Sequence, residues 1–260
     1  MFITLAFTIA GGMLAVLATA RVEQIAWKFV RLVGVLVLAV TAAAAAWIVR
    51  EQGSGHVILP ALSAVAAAAL IAIAPLAPSR PRATRALSAA GALAGLAAAA
   101  MAAHAGFQGK TPNAASLMTT MLAAAQVLSA LMLGSITLAW LLGHAYLTAT
   151  SMTVAPLRHF SRMLSWTVAA RAAFFCVSLA LAWRTSDASI FSRLADAWLI
   201  AFLRVGVGLV AVGVFAYMVS DCVARRATQS ATGILYFASV MAYVGELAGQ
   251  QLTREIGWPL

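Results

Sequence analysis

Long apolar runs separated by short basic connections make up this chain, and that pattern constrains its fold more than any other feature. Each run has the length of about 20 residues that a helix needs to cross a hydrocarbon core of about 30 Å. The chain is 63% hydrophobic and 9% charged, whereas a soluble domain carries about 25% charged residues. Within a bilayer only helices and closed barrels satisfy their own backbone groups, and these runs lack the alternation of barrel strands. The sequence therefore predicts an all-α integral membrane protein.

Counting apolar runs of this length predicts a bundle of about eight transmembrane helices with short loops. The predicted spans are 2–19, 32–49, 57–76, 86–106, 116–143, 163–183, 197–220 and 229–252. The loops are too short to hold a soluble domain, so residues 1–260 are predicted to form a single transmembrane domain. Chemistry outside the membrane would then need a partner protein or residues at the span ends.

The two halves of this predicted domain differ in character. Residues 1–106, with spans one to four, are rich in Ala and Gly, and such small side chains let helices approach closely. Residues 107–260, with spans five to eight, carry most of the polar and ionisable groups. A transporter with inverted repeats is expected to show matching interruptions in both halves. The sequence shows none. We therefore expect a functional site in the second half.

The net charge of +10 does not indicate nucleic-acid binding, because the basic residues are scattered between apolar runs. Ten of them lie in the first, third, fifth and seventh connections: Arg21, Lys28, Arg31, Arg80, Arg82, Arg85, Arg158, Arg162, Arg225 and Arg226. Five lie on the opposite side: Arg50, Lys110, Arg184, Arg193 and Arg254. The positive-inside rule then predicts both termini on the outer, periplasmic side of a cell inner (cytoplasmic) membrane, with the lipid bilayer as a partner.

Two ionisable residues fall inside the last two predicted spans, where such groups are costly and by default indicate function. Arg204 lies about eight residues, or about 12 Å, into the seventh span, and Glu246 lies near the outer end of the eighth. Because consecutive spans are antiparallel, we predict that the two residues pair. The pair would form part of a proton or ion path, or would only fix helix packing. Tyr236, Tyr243 and Ser239 share a helix face with Glu246, so this face is expected to turn toward protein or water.

A second group of polar residues lies nearer the cytoplasmic side. His144 follows a glycine that lets a flat ligand approach, and Tyr146 and Trp166 add an aromatic surface. This group suits a quinone headgroup, which needs donors to its carbonyl oxygens, or a haem iron; the alternative is a histidine bonded to a loop carbonyl. Arg171 is predicted about eight residues, or about 12 Å, into the sixth span, with no acidic residue at matching depth. It would extend toward lipid headgroups or bind a phosphate, a haem propionate or a substrate carboxylate.

The four histidines bear on the haem interpretation. His56 opens the third predicted span and His104 closes the fourth, so both lie on the outer side and could ligate haem b from two helices. Ligands a turn or more inside the spans would be more typical. No CxxCH motif is present in the sequence, which excludes covalently attached c-type haem.

The connection APLRHFSRMLSW between spans five and six is the most distinctive loop. Pro156 is expected to stop the preceding helix, and Arg158, His159 and Arg162 follow on a predicted short interfacial helix. Cationic residues there would bind anionic headgroups or a cytoplasmic partner, or would simply be ordinary positive-inside charge.

Three functional classes follow from these patterns. The first is a membrane subunit of an electron-transfer or bioenergetic complex, which contributes a quinone or haem environment or an anchor beside other subunits. The second is a small transporter or ion-conducting protein that uses Arg204 and Glu246, and the third is a purely structural subunit. The first is favoured over the second because no predicted span has a proline in its middle. The sequence contains no HExxH, GxSxG or Walker motif, which favours a non-catalytic subunit over an autonomous enzyme.

Overall fold

A computed structural model describes residues 2–51, 65–66, 80–105, 115–148, 153–184 and 188–260. This part of the chain is helical and contains no strand. Its main elements are α1 (Phe2–Thr19), α2 (Trp27–Glu51), α3 (Pro81–Ala105), α4 (Ala115–Thr148), α5 (Ala155–Arg184), α6 (Ala188–Asp196), α7 (Trp198–Ala224) and α8 (Thr228–Ile256). A short 3-10 helix, Val22–Gln24, lies between α1 and α2.

Seven of these helices, all but α6, are long and apolar enough to cross a membrane. They correspond to the predicted spans one, two and four to eight. The third predicted span, 57–76, falls outside the described residues apart from 65–66. Large apolar side chains such as Trp47 and Phe237 remain exposed on the bundle, which is typical of helices that face lipid. The fold is that of a multi-pass α-helical membrane protein.

Some helix ends differ from the predicted spans. Helix α1 coincides with the predicted 2–19, but α5 begins at Ala155 and not at residue 163. The predicted interfacial helix with Arg158, His159 and Arg162 is therefore wrong, because these residues form the first turns of α5 itself. Pro156 does not end a helix here; it lies in the first turn of α5, where the missing N–H costs nothing.

Glycines bring α1 into close contact with two other helices. A Cβ on Gly12 would lie 1.8 Å from the main-chain oxygen of Ala130 in α4, so only glycine fits. On a neighbouring face of α1, a Cβ on Gly11 would lie 3.0 Å from a backbone nitrogen of α3. Such close approach increases van der Waals contact between helices. Helix α4 is in turn the most buried span and packs against α1, α5 and α8.

Contacts along the helices fix their relative directions. Helix α3 runs antiparallel to α1, since Arg85 pairs with Glu23 near one end at 2.8 Å while Gly95 meets Gly11 further along. Helix α8 runs antiparallel to α4, since Glu246 contacts Ser129 and Tyr236 contacts His144. In the predicted topology, spans one and four run in opposite directions, and so do spans five and eight. The structure agrees on both pairs.

One stretch of α7 departs from α-helical geometry. Leu203–Ala211 is π-helical, between α-helical segments Trp198–Phe202 and Val212–Ala224. Wide turns of this kind are rare and frequently occur at functional sites. Arg204 lies in this stretch and is fully buried.

Candidate functional site

A buried carboxylate sits between two buried guanidinium groups at the centre of the second half. Glu246 of α8 accepts a hydrogen bond from Nη1 of Arg204 in α7, at 2.9 Å, and lies 3.5 Å from Nη2 of Arg171 in α5. Ser129 of α4 donates to the carboxylate oxygen that faces Arg171. All of these side chains are buried. We call Arg171, Arg204 and Glu246 the charged cluster; the predicted pairing of Arg204 with Glu246 is confirmed.

Small residues around Glu246 make room for the cluster. A Cβ on Gly249 would lie 2.8 Å from Nε of Arg204, so the guanidinium group lies directly over this glycine. The backbone of Gly245 packs directly against that of Gly208 in α7. A Cβ added to Gly245 would lie 2.1 Å from Cα of Gly208. The main-chain oxygen of Gly245 also accepts from Arg204 at 3.3 Å. The segment GELAG therefore presents Glu246 between two helix-contact glycines, as in a GxxxG motif.

Arg171 joins this cluster, which corrects the prediction that it has no acidic residue at matching depth. Because α5 begins at Ala155, Arg171 lies 16 residues along the helix, about 24 Å from its start at 1.5 Å per residue. Glu246 lies 18 residues, about 27 Å, from the start of α8 at Thr228. The two residues therefore lie at similar depths. Of the two alternatives for Arg171, extension toward headgroups is excluded, because its side chain is only 2% exposed.

The charged cluster does not balance its own charge or satisfy all its donors. Its side chains carry two positive charges and one negative charge. Within the described part of the chain, Arg171 leaves Nε and Nη1 without a hydrogen-bond partner, and Arg204 leaves Nε and Nη2. Such groups are rare in protein interiors, and each calls for an explanation such as an ion, a ligand or water.

A cavity lies beside Arg171 and Glu246, with a volume of about 30 Å³ available to water-sized groups. Its polar lining includes Gln126 and Gln250, and the amide of Gln250 is buried with neither its nitrogen nor its oxygen bonded to any described residue. Thr4 and Arg254 also line it, close to the start of α1 and the end of α8. The cavity therefore extends from the cluster toward the end of the bundle that the charge bias predicts as periplasmic.

The residues after α8 fold back against this site. The main-chain oxygen of Leu260 accepts from Nη2 of Arg171 at 3.0 Å. Trp258 donates from Nε1 to the main-chain oxygen and the hydroxyl of Ser178 in α5, at 3.1 and 2.9 Å. Pro259 accepts from the Ser178 hydroxyl. We call Trp258–Leu260 the return segment; no pattern in the sequence predicted it.

A row of polar contacts continues along α4 and α8 away from the cluster. Tyr243 and Thr137 share a hydrogen bond of 2.7 Å, and the Tyr236 hydroxyl lies 2.9 Å from Nδ1 of His144. The Trp140 ring lies 5.6 Å from that of Tyr236. The face of α8 that was predicted to turn toward protein does so, although Tyr236 at the far end is 40% exposed.

The predicted cofactor-binding residues do not come together in one place. Arg171 belongs to the charged cluster, whereas His144 contacts Tyr236, ten residues or about 15 Å before Glu246 on α8. Tyr146 donates to the main-chain oxygen of Thr153 in the following connection. Trp166 points away from the bundle and is 71% exposed. The haem prediction stays open, because His104 is exposed at the end of α3 and His56 lies outside the described residues.

Known proteins give no guidance to the function of this site. Comparisons with models of protein families, with curated proteins and with solved structures found no match to this chain. The residues that the structure describes also contain no group of three or more His, Cys, Asp or Glu side chains suited to a metal ion. The geometry of the cluster, its cavity and the His144–Tyr236 contact are therefore the features that bear on function.

Three residues of the site were not predicted, although patterns in the sequence point to them. Ser129 lies three residues after Gln126 in the fifth predicted span, and this spacing places both on one helix face. The glycines at 245 and 249 flank Glu246 with the spacing of a helix-contact motif. Together these patterns indicate that α8 would bring a carboxylate to the polar face of α4.

Proposed function

We propose that this protein is a small transporter or ion-conducting membrane protein and that the charged cluster binds the transported ion. The observation that carries the proposal is a buried excess of positive side-chain charge beside a cavity, with hydrogen-bond donors left over. Burying charge is costly unless it is paired and its donors are satisfied. A cluster that served only packing would be expected to balance its charges. Ionisable residues inside spans commonly mark ion and substrate pathways.

Two further features favour transport over the electron-transfer class that the sequence favoured. Arg171, an expected cofactor ligand, lies with Glu246 and away from His144. The π-helical stretch at Arg204 is a local irregularity beside the site, although no predicted span carries a mid-span proline. Irregular turns near the middle of a span are a frequent feature of transporter binding sites.

We further infer that the protein lies in the cell inner membrane with the cavity facing the periplasm, because basic residues favour the opposite connections by ten to five. Alkaline phosphatase fused after Leu260 should be active, and the same enzyme fused after Ala227 should be inactive. The opposite pattern would reverse the orientation and leave the site unchanged.

Ion flux through vesicles that contain the purified protein tests the proposed function. Wild-type protein should carry protons, sodium, potassium, chloride or formate faster than vesicles without protein, and Arg204→Gln should reduce that flux at least about tenfold. Arg225→Gln is the matched control, since Arg225 is 75% exposed and pairs with Asp221 at the other end of α7. Flux of none of these ions above protein-free vesicles would refute transport and favour a structural role.

A second candidate function rests on the His144–Tyr236 contact. Their 2.9 Å hydrogen bond lies at the exposed edge of the bundle, where a lipid-soluble quinone would arrive. Both groups can bond to quinone carbonyl oxygens. In this case the protein would be a subunit of an electron-transfer complex with other membrane or peripheral subunits as partners.

Mass spectrometry and optical spectroscopy of the purified protein test this second candidate. Co-purified quinone that is lost in His144→Ala but retained in His159→Ala would support it. The control histidine bonds to Thr19 at the end of α1, at 3.0 Å, and not to Tyr236. A Soret band would indicate haem b instead, and the absence of both quinone and haem would remove the electron-transfer class.

A further inference from the structure

We propose that the cavity beside the charged cluster binds a small monovalent anion, of the size of formate or chloride, that enters from the end of the bundle carrying Thr4 and Arg254. This inference rests on the proposed transport function and names the class of ion. It follows from the charge, the donors and the size of the cavity.

Charge selects an anion over a cation. The side chains of the cluster supply two guanidinium groups and one carboxylate, and that carboxylate already contacts both arginines. A cation would meet this excess of positive side-chain charge, whereas an anion would be attracted to the two guanidinium groups. In a low-dielectric interior such attraction is much stronger than in water.

The groups around the cavity are suited to an acceptor ligand. Arg171 and Gln250 both line it, and among the described residues both have buried N–H donors without partners. Arg171 is 2% exposed and Gln250 is 8% exposed, so bulk water does not satisfy them. A guanidinium group keeps its charge and all its donors under every physiological condition. An anion would therefore occupy a site that is already assembled.

Size restricts the ligand to a few heavy atoms. The available volume of about 30 Å³ is enough for about two water molecules. A quinone ring or a lipid headgroup would not fit without helix movement. Nη2 of Arg171 already donates to the main-chain oxygen of Leu260, so Nε and Nη1 are the donors left for the anion.

Thermal unfolding of the full-length protein in detergent tests this inference, with sodium formate as the probe. Sodium gluconate at equal ionic strength is the control, because it carries the same carboxylate on a much larger body. Formate should raise Tm saturably, by about 5–10 °C at a hundred times Kd, and gluconate should not. Equal shifts with both salts would overturn the proposal.

Two variants and one control locate the effect. Arg171→Gln should abolish the formate response, while Arg225→Gln should retain it. Because Arg171→Gln removes a buried charge and could prevent folding, Gln250→Glu provides an independent test. Its built-in carboxylate should take the place of the anion, raise Tm without formate and remove the formate response. A Gln250→Glu protein that still responds to formate as the wild type does would overturn the anion site.

Flux measurements separate this inference from the proposed function. Saturable formate binding without flux of any ion would keep the anion site and refute transport. Flux of protons or cations, without a thermal response to formate, would keep transport and refute the anion site. Formate flux that Gln250→Glu abolishes would support both.

Discussion

Replacing Glu246 with glutamine removes the negative charge of the cluster without changing its volume. Arg171 and Arg204, which lie 3.5 and 2.9 Å from the carboxylate, would then be buried beside each other with no opposite charge. Breaking a buried ion pair from one side costs about 3–5 kcal/mol, mostly because the remaining charge is uncompensated. We therefore expect the free energy of unfolding to fall by this amount, and Tm to fall by about 6–20 °C for a chain of this size.

Intrinsic tryptophan fluorescence during heating in detergent, in gluconate buffer, is a suitable assay for this loss. The matched control is Glu255→Gln, which makes the same chemical change on the same helix. The Glu255 carboxylate is exposed and accepts a hydrogen bond from Gln251. This control should stay within about 0.5 kcal/mol of the wild type.

A double variant shows whether the loss comes from the charge. Adding Arg204→Gln to Glu246→Gln leaves one buried charge in place of two, so the double variant should be more stable than the sum of the single effects by about 0.5–3 kcal/mol. Additive losses would show that the two groups do not interact. A Glu246→Gln protein as stable as Glu255→Gln would refute the argument that the cluster is energetically significant.

Three further predictions concern packing. Gly245→Ala should destabilise the protein by about 1–3 kcal/mol through overpacking, because its Cβ would lie 2.1 Å from a Cα of α7; Gly233→Ala on the same helix has no described atom within 4 Å and should stabilise it by about 0.5–1 kcal/mol, so equal Tm shifts would contradict the close contact. Gly12→Ala should separate α1 from α4 and lower Tm, as its Cβ would lie 1.8 Å from a carbonyl oxygen; a Tm at the wild-type value would show that these helices are not in contact. Trp258→Ala should cost about 3–5 kcal/mol and expose the return segment to carboxypeptidase, whereas unchanged digestion would show that the bonds to Ser178 do not hold it.

The hydrophobic interiors of the spans could be predicted from the sequence, but their ends could not. The predicted span 2–19 coincides with α1, whose apolar run stops abruptly at Arg21. Helix α5 extends about two turns beyond its apolar run, because polar residues such as Arg158 and Ser161 at a helix end can lie outside the hydrocarbon layer and still continue the helix. Hydropathy measures burial in lipid, not helical hydrogen bonding.

The error at this helix end explains the incomplete prediction of the site. A start at residue 163 places Arg171 about 12 Å from the beginning of its helix, whereas the start at Ala155 doubles that distance, and Arg171 contacts Glu246 at 3.5 Å. Arg204 and Glu246 were matched correctly because their spans are adjacent in sequence. Contacts between distant segments, such as Gly12 with Ala130 or Arg171 with Leu260, depend on which helices become neighbours. A single sequence does not contain that information.

The π-helical turn of α7 has a consequence for insertions and deletions. Buried residues 204, 208, 212 and 216 recur every four positions, and in a regular α-helix each such step would drift by about 40° around the axis. The wide turn absorbs this drift and keeps the series in phase, so that Arg204 faces Glu246 while Ala216 still faces the core. Removing one residue from 205–207 would restore ordinary winding and rotate Arg204 by about 100° relative to the rest of the helix, out of reach of the carboxylate.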